Sequence, residues 1–251
     1  MQRYFIQQAS IPLKLQLEPE IFKHAIKVLR LRVGDHFELV DTQQQVAEMK
    51  LIAIDGLQAT AERLNVSKPQ VELPVNVTIA CGLAKNAKPE IIVQKATELG
   101  AARIIFFQGE YSIARWQPAK MGKKLQRLQK VAQAAAEQSH RTRIPAVDFY
   151  AKLADLPFRD YELKLVAYEE AAKEGESHMF RQFTDKLLLE KRQQTPNLLA
   201  VFGPEGGISA AEIDFLQQQG CQSAGLGPRI LRAETAPWYL LAALSFALEL
   251  G

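Results

Sequence analysis

The sequence predicts an α/β fold preceded by a small β-barrel. The parallel sheet of the α/β part carries helices on both faces. Three observations predict this. Short strands follow one another closely before residue 67, a proline-containing break occupies 67–74, and strands then alternate with helices to the end. The domains are therefore drawn at 1–72 and 73–251.

In the first part, 36–41, 45–54 and 58–66 are apolar-polar segments separated by turns such as Asp55-Gly56. One helix precedes them at about 20–30, with Ile21, Phe22, Ala25, Ile26 and Leu29 on one side. The stretch SKPQVELP at 67–74 has two prolines and no helical period, which marks it as the linker. Beyond it, 75–81 alternates as a strand. A helix at 89–99 has Pro89 in its first turn and Gly100 after its end. Strand 103–108 and a long basic helix at 118–138 follow. Strand 162–167, a helix near 177–192 and strand 197–202 continue the alternation. Helix 210–219 has Ser209 as N-cap, Glu212 as its capping-box partner and Gly220 as its stop. A short strand at 222–226 and a helix at 236–249 complete the chain.

Composition excludes several classes. Cys81 and Cys221 are far apart in apolar runs, so neither a disulfide framework nor a cysteine zinc site is expected. No apolar run approaches ~18 residues and no secretory leader is evident, so a cytoplasmic, soluble protein without a membrane segment is expected. Net charge is only +3, but 113–143 holds eight Lys or Arg against the single acid Glu137. Such a stripe is the footprint of a polyanion partner, or a solvated helix face.

Four segments carry candidate chemistry. In the first, strand 197–202 runs into Gly203, Pro204, Glu205, Gly206 and Gly207 before a capped helix. Ligands of open α/β sheets bind beyond the C-terminal strand ends, and glycines there leave room for ligand or backbone. The spacing matches neither a phosphate-binding P-loop nor a dinucleotide fingerprint. In the second, Leu226 and Gly227 lead through Ile230, Leu231, Arg232 and Glu234 to Thr235, which opens the last helix. Two successive loops of this kind suggest one ligand between them, with Ile230 and Leu231 on its flat faces. Arg232 and Glu234 could equally form a surface ion pair. In the third, Lys85 and Lys88 stand at a helix entrance that could bind phosphate, while Lys95 and Glu98 could be an ordinary helix pair. In the fourth, Gln138, Arg141 and Arg143 follow the basic helix and could contact an RNA backbone. His140 reads as a helix-end residue, and no metal site is expected.

GLAKNAKPEIIVQKATELG, AAEQSHRTRIP, VFGPEGGISAAEI and LGPRILRAETA, in this order, resemble the ribosomal small subunit uridine-N3 methyltransferase family. That family belongs to the SPOUT superfamily of knotted methyltransferases. HAIKVLRLRVGDHFELVD at 24–41 resembles its PUA-like RNA-binding barrel, so the resemblance spans nearly the whole chain. It implies a deep trefoil knot in the C-terminal domain and a homodimer. It also implies S-adenosyl-L-methionine bound in the knot loops, and a single uridine of helix 44 of 16S rRNA in the small ribosomal subunit as substrate. Carried onto matching positions, Gly203, Pro204, Glu205, Gly206 and Gly207 form one cofactor loop. Leu226, Gly227, Ile230, Leu231, Arg232, Glu234 and Thr235 form the other, and Arg30 and Arg32 face RNA. The chain departs from the family pattern at KNAKPE, where KGDKMD is usual, at Tyr111, where arginine is expected, and at Ala233, where threonine is common.

The implied reaction needs no covalent nucleophile and no metal, because a sulfonium methyl group is already electrophilic. Uracil N3 must lose its proton, and the developing anion must be stabilised. Arg232 is the candidate for that stabilisation or for holding a phosphate. Glu205 or Glu234 could take the proton, or either could only hold the cofactor's ammonium or ribose. A different RNA target on the same fold, or a catalytically silent RNA-binding assembly factor, are the competing readings.

Overall fold

The computed structural model describes residues 1–168, 179–190 and 195–250. Two compact units emerge, one of residues 1–72 with 136–143, the other of 73–135 with 144–250.

The first unit is a five-stranded sheet. Strands β1 (Arg3–Phe5), β2 (Lys14–Gln16), β3 (His36–Val40), β4 (Val46–Asp55) and β5 (Gln58–Ser67) lie in the order β1-β3-β4-β5-β2. The β1-β3 pair is parallel and the others antiparallel, and β1 and β2 stand at the two ends. Register shifts at Glu48/Met49 and Leu51/Ala53 bend the β4-β5 ladder, as bulges do. Helix α1 (Pro19–Phe22) continues as a wider π turn over Lys23–Val28. Its Ile21, Phe22 and Ala25 close the core over Phe37, Leu39, Met49 and Leu51. Arg30 then takes φ +58 and ends the helix, with the Leu31 N–H reaching back to the Ala25 carbonyl at 3.0 Å.

Arg141 changes its expected place. It is 3% exposed, and its guanidinium pairs with Glu72. Glu72 also accepts from the Thr142 N–H at 2.9 Å and from Arg143 Nε at 3.2 Å. Burial and the Arg141 charge lower the Arg143 guanidinium against the pull of Glu72. The expected RNA contact Arg141 is thus committed to Glu72, inside the stretch read as a linker. Arg143 is half-buried on the same carboxylate.

The second unit holds a six-stranded parallel sheet. Its strands are β6 (Asn76–Gly82), β7 (Arg103–Phe107), β8 (Ala146–Tyr150), β9 (Leu163–Ala167), β10 (Asn197–Phe202) and β11 (Gln222–Ala224), in the order β11-β9-β10-β6-β7-β8. Strand β8 was not foreseen. Its helices are α2 (Lys88–Glu98), α3 (Pro118–Gln138), α4 (Met179–Glu190), α5 (Ala210–Gln218) and α6 (Thr235–Ser245), the last continuing as a π turn to Leu250. The predicted ends of α4 at 177–178 and 191–192 lie outside the described residues.

Side chains alternate across the strands, as the period of two requires. Val77, Ile79 and Cys81 pack with Ile92 and Val93 of α2, Leu128 of α3, Leu187 of α4 and Leu240 and Leu244 of α6. Ala80, Ile105, Leu199 and Val201 point to the other face, where Ile213 and Leu216 of α5 join Leu153, Leu156 and Phe158. Both faces are covered, unequally. Both cysteines are buried, which pushes their thiols up. No described helix is long and apolar enough to cross a membrane.

Candidate active site

Parallel strands β11, β9 and β10 are neighbours, so the chain leaves all three at one end of the sheet. There a cavity of about 640 Å³ opens. Its size suits a cofactor-sized ligand. The first loop supplies Gly203, Pro204, Glu205, Gly206 and Gly207, and the second supplies Leu226, Gly227, Ile230, Leu231 and Arg232. Pro228, Arg229 and Ala233 of the second loop also line the cavity, and sequence reasoning missed Ala167 and Tyr168 at the end of β9, Ile208 and Ala236. A parallel sheet puts the C-terminal end of β9 on the same side as the loops, but the sequence does not show that β9 lies between β11 and β10. Glu234 and Thr235 do not line the wall.

The glycines have distinct reasons. Gly207 takes φ +81 in a turn whose N–H donates to the Pro204 carbonyl at 2.9 Å. Gly206 is not left-handed. A Cβ there would lie 2.8 Å from Tyr111 Cβ and 3.0 Å from the Tyr111 carbonyl oxygen. Its role is to admit the backbone of the loop after β7. Ser209 and Glu212 complete the predicted capping box at the start of α5.

One cation ties the loops together. Lys88 Nζ lies 3.1 Å from Glu205 Oε1 and 3.0 Å from Glu234 Oε2. The Lys85 N–H also donates to Glu205 Oε1 at 3.1 Å. Burial works against the Glu205 charge, but backbone N–H donors and Lys88 outweigh it and hold the carboxyl below its usual range. Burial likewise disfavours the Lys88 ammonium, and the two carboxylates outweigh it and raise Lys88. The turn that delivers Lys88 needs Asn86 at φ +59, a left-handed conformation that asparagine adopts more readily than most residues with a side chain. Asn86 thus does what glycine would do in KGDKMD.

Arg232 is exposed, and its guanidinium makes no hydrogen bond or ion pair among the described residues. The partner of Glu234 is Lys88, so the surface pair Arg232–Glu234 is not formed. The Arg232 carbonyl accepts from the Thr235 and Ala236 N–H groups at 2.9 and 3.0 Å, which starts α6 and fixes the Arg232 backbone. Lys95 pairs with Glu98 at 2.7 Å, the ordinary helix pair. Arg30, Arg32, Lys85 and Gln138 are exposed. Among the described residues no group of His, Cys, Asp and Glu could hold a metal ion.

Known proteins resemble this chain in sequence and in fold. The family model of the RNA methyltransferase domain matches residues 71–245, and that of the RNA methyltransferase PUA domain matches 17–62. Ribosomal RNA small subunit methyltransferase E of Bacillus subtilis is 39% identical over 268 residues, covering 100% of this chain and 98% of the relative. Its namesake in Mycobacterium tuberculosis is 33% identical, covering 88% of this chain and 82% of the relative. The crystal structure of a ribosomal RNA small subunit methyltransferase E from Neisseria gonorrhoeae, bound to S-adenosyl methionine, superposes with a TM-score of 0.81 at 26% identity, covering 98% of this chain and 97% of that one. A Legionella pneumophila methyltransferase in complex with the same cofactor superposes with a TM-score of 0.80 at 26% identity, covering 98% of this chain and 97% of that one.

Proposed function

Because the chain belongs to the ribosomal RNA small subunit methyltransferase E family, we propose that it methylates N3 of a single uridine in helix 44 of 16S rRNA, using S-adenosyl-L-methionine. The observation that carries this reading is the cavity of about 640 Å³ between two Gly-Pro loops, with an Arg232 beside it that is unpaired among the described residues. The residues fit the cofactor. The loops offer backbone N–H and C=O groups for an adenine edge, and Ile230 and Leu231 are apolar walls for its faces. Glu205 offers a carboxylate to an ammonium group. The same reading includes a deep trefoil knot through these loops, a homodimer, and action in the cytoplasm.

When bound, the cofactor supplies an electrophilic methyl group. The protein's task is then to orient the base and handle charge. Arg232, exposed, holds the nucleotide's phosphate or the negative charge that develops as N3 loses its proton. Glu205 is a weak proton acceptor, because Lys88 and the Lys85 N–H hold it ionised. Glu234 is paired with the same Lys88 and does not line the cavity, so it has no better claim to the proton. Arg30, Arg32, Lys85, Gln138 and Arg143 serve the RNA backbone. Arg141, buried, is held by Glu72 instead.

The test is methyl transfer from labelled S-adenosylmethionine to small-subunit RNA, followed by digestion and mass spectrometry of the nucleosides. 3-Methyluridine confined to helix 44 is expected. Label in another base or a ribose would replace the proposed target, and no label with intact RNA binding would leave a silent assembly factor.

A further inference from the structure

The loop from β7 to α3 presents a surface that the reaction above leaves unused. Between residues 108 and 117 stand Tyr111, 47% exposed, Ile113, 66% exposed, and the exposed Arg115. The loop backbone is pinned. The Glu110 N–H donates to Glu212 Oε1 at 2.9 Å, the Gly109 N–H donates to Ser112 Oγ at 3.1 Å, and Ser112 is buried. Tyr111 meets the wall of the cavity, since its Cβ and carbonyl oxygen are what Gly206 makes room for. With those atoms against Gly206, the exposed area of Tyr111 belongs to its ring.

A target pyrimidine has its N3 on the pairing edge, so it must leave its pair and its stack before any reagent can reach that atom. Leaving the stack is costly, and an aromatic side chain returns part of the cost by taking one face of the base. A ring on a pinned backbone does this with little loss of entropy, and it leaves the edge of the base free. The phosphates on either side need cations. Arg115 and the exposed Lys120, Lys123 and Lys124 at the start of α3 provide them.

We propose that Tyr111 is a positioning residue whose ring is the platform for the unstacked target base, with Ile113 and Arg115 receiving the adjoining nucleotide. This rests on the RNA methyltransferase reading. The test compares wild type with Tyr111→Ala, Tyr111→Phe and Tyr111→Leu. The readouts are methyl transfer to a small-subunit RNA fragment, S-adenosylmethionine affinity by calorimetry, and emission from a fluorescent pyrimidine analogue at the target position. Tyr111→Ala is expected to lower kcat/KM by about 5- to 150-fold, the worth of one base–aromatic stack. Cofactor affinity stays unchanged, and Tyr111→Phe restores most of the loss. Tyr111→Leu falls between them, having area without a π face. The analogue is quenched by wild type and Tyr111→Phe but not by Tyr111→Ala. A wild-type rate in Tyr111→Ala, or a Phe variant as impaired as the Ala variant, overturns the proposal. So does a change of self-association in Tyr111→Ala with RNA handling intact, which would make the ring a contact between copies. A wild-type protein that transfers no methyl group defeats the reaction reading instead, and quenching still decides whether Tyr111 stacks on a base.

Discussion

Arg232 and Gly206 are both loop residues beside the cavity, yet they contribute in opposite ways. Arg232 offers a charge that no described residue uses. Its removal strands no buried partner, so Arg232→Ala should fold with nearly unchanged stability. If the guanidinium meets charge developing at the base, single-turnover methyl transfer should fall ~10²-fold or more while cofactor affinity stays near wild type. Normal turnover by that variant would remove Arg232 from the active site. Gly206 offers absence. A valine there meets the Tyr111 backbone rather than a forbidden φ, and backbone cannot swing aside as a side-chain tip can. Gly206→Val should therefore displace the 108–117 loop and weaken RNA binding together with cofactor binding. A variant that loses cofactor affinity alone would show that only the ligand fills the space beside Gly206. The sequence shows that a residue without a side chain is wanted there, but which neighbour wants it is a matter of tertiary approach. Lys88 teaches the same point. As a cation at a helix entrance it reads as a phosphate binder, whereas its partners, Glu205 and Glu234, lie more than a hundred positions along the chain.

Among the elements, the segment joining residues 67–74 to the end of α3 differs most from its sequence reading. Two prolines correctly signal the lack of regular structure, but they say nothing about contacts, and Glu72 is the anchor of Arg141, Thr142 and Arg143. Glu72→Gln removes the carboxylate charge that pairs with the buried Arg141. The cost should be about 3–5 kcal/mol, nearer the lower figure because the amide oxygen still accepts hydrogen bonds. Burial raises the Glu72 carboxyl, but Arg141, the Thr142 N–H and Arg143 outweigh it and hold it below its usual range. A carboxyl lowered on folding stabilises above its unfolded pKa, and that share is lost as pH falls through the folded value. Urea titrations should therefore show a wide gap between wild type and Glu72→Gln at neutral pH that narrows in acid. A gap of constant size would show that Glu72 acts through shape and not charge. Elements with strong local signals were legible: α3 and β10 keep their predicted bounds, and Gly100 and Gly220 take the positive φ that stops a helix. The three-residue strands β1 and β2 are too short to show a period. Strand β8 sits at the sheet edge with mixed exposure, so its alternation is blurred. The π turns after α1 and α6 leave the apolar spacing almost as a helix would, so the sequence reads them as helix.

At the scale of the whole molecule, the two Gly-Pro loops were legible because each follows a strand, but their meeting depends on strand order. Only the order β11-β9-β10 brings Ala167 and Tyr168 between them, and adjacency in a parallel sheet cannot be read from adjacency in the chain. The C-terminal helix poses the remaining question. Helix α6 turns Leu240, Leu241 and Leu244 into its own core, yet Tyr239 remains exposed, Phe246 is 67% exposed, and Leu250 is exposed as well. Trp238 Nε1 is enclosed without a hydrogen-bond partner among the described residues. A helix apolar on nearly every side is ordinarily buried on nearly every side. A second copy of the chain is the cover that the homodimer reading supplies. Across a two-fold axis each side chain counts twice. Burying a large apolar side chain is worth about 1.5–3 kcal/mol, so replacing Phe246 should cost the dimer about twice that, on the order of a hundredfold or more in dissociation constant. Sedimentation of the wild type at micromolar concentration should give the mass of two copies, and Phe246→Asp should shift it toward one. The variant's secondary structure should be unchanged, because Phe246 is not part of the monomer's core. A wild-type mass of one copy sinks the dimer. A dimer indifferent to Phe246→Asp moves the interface away from this helix and leaves its exposed aromatic face to another partner.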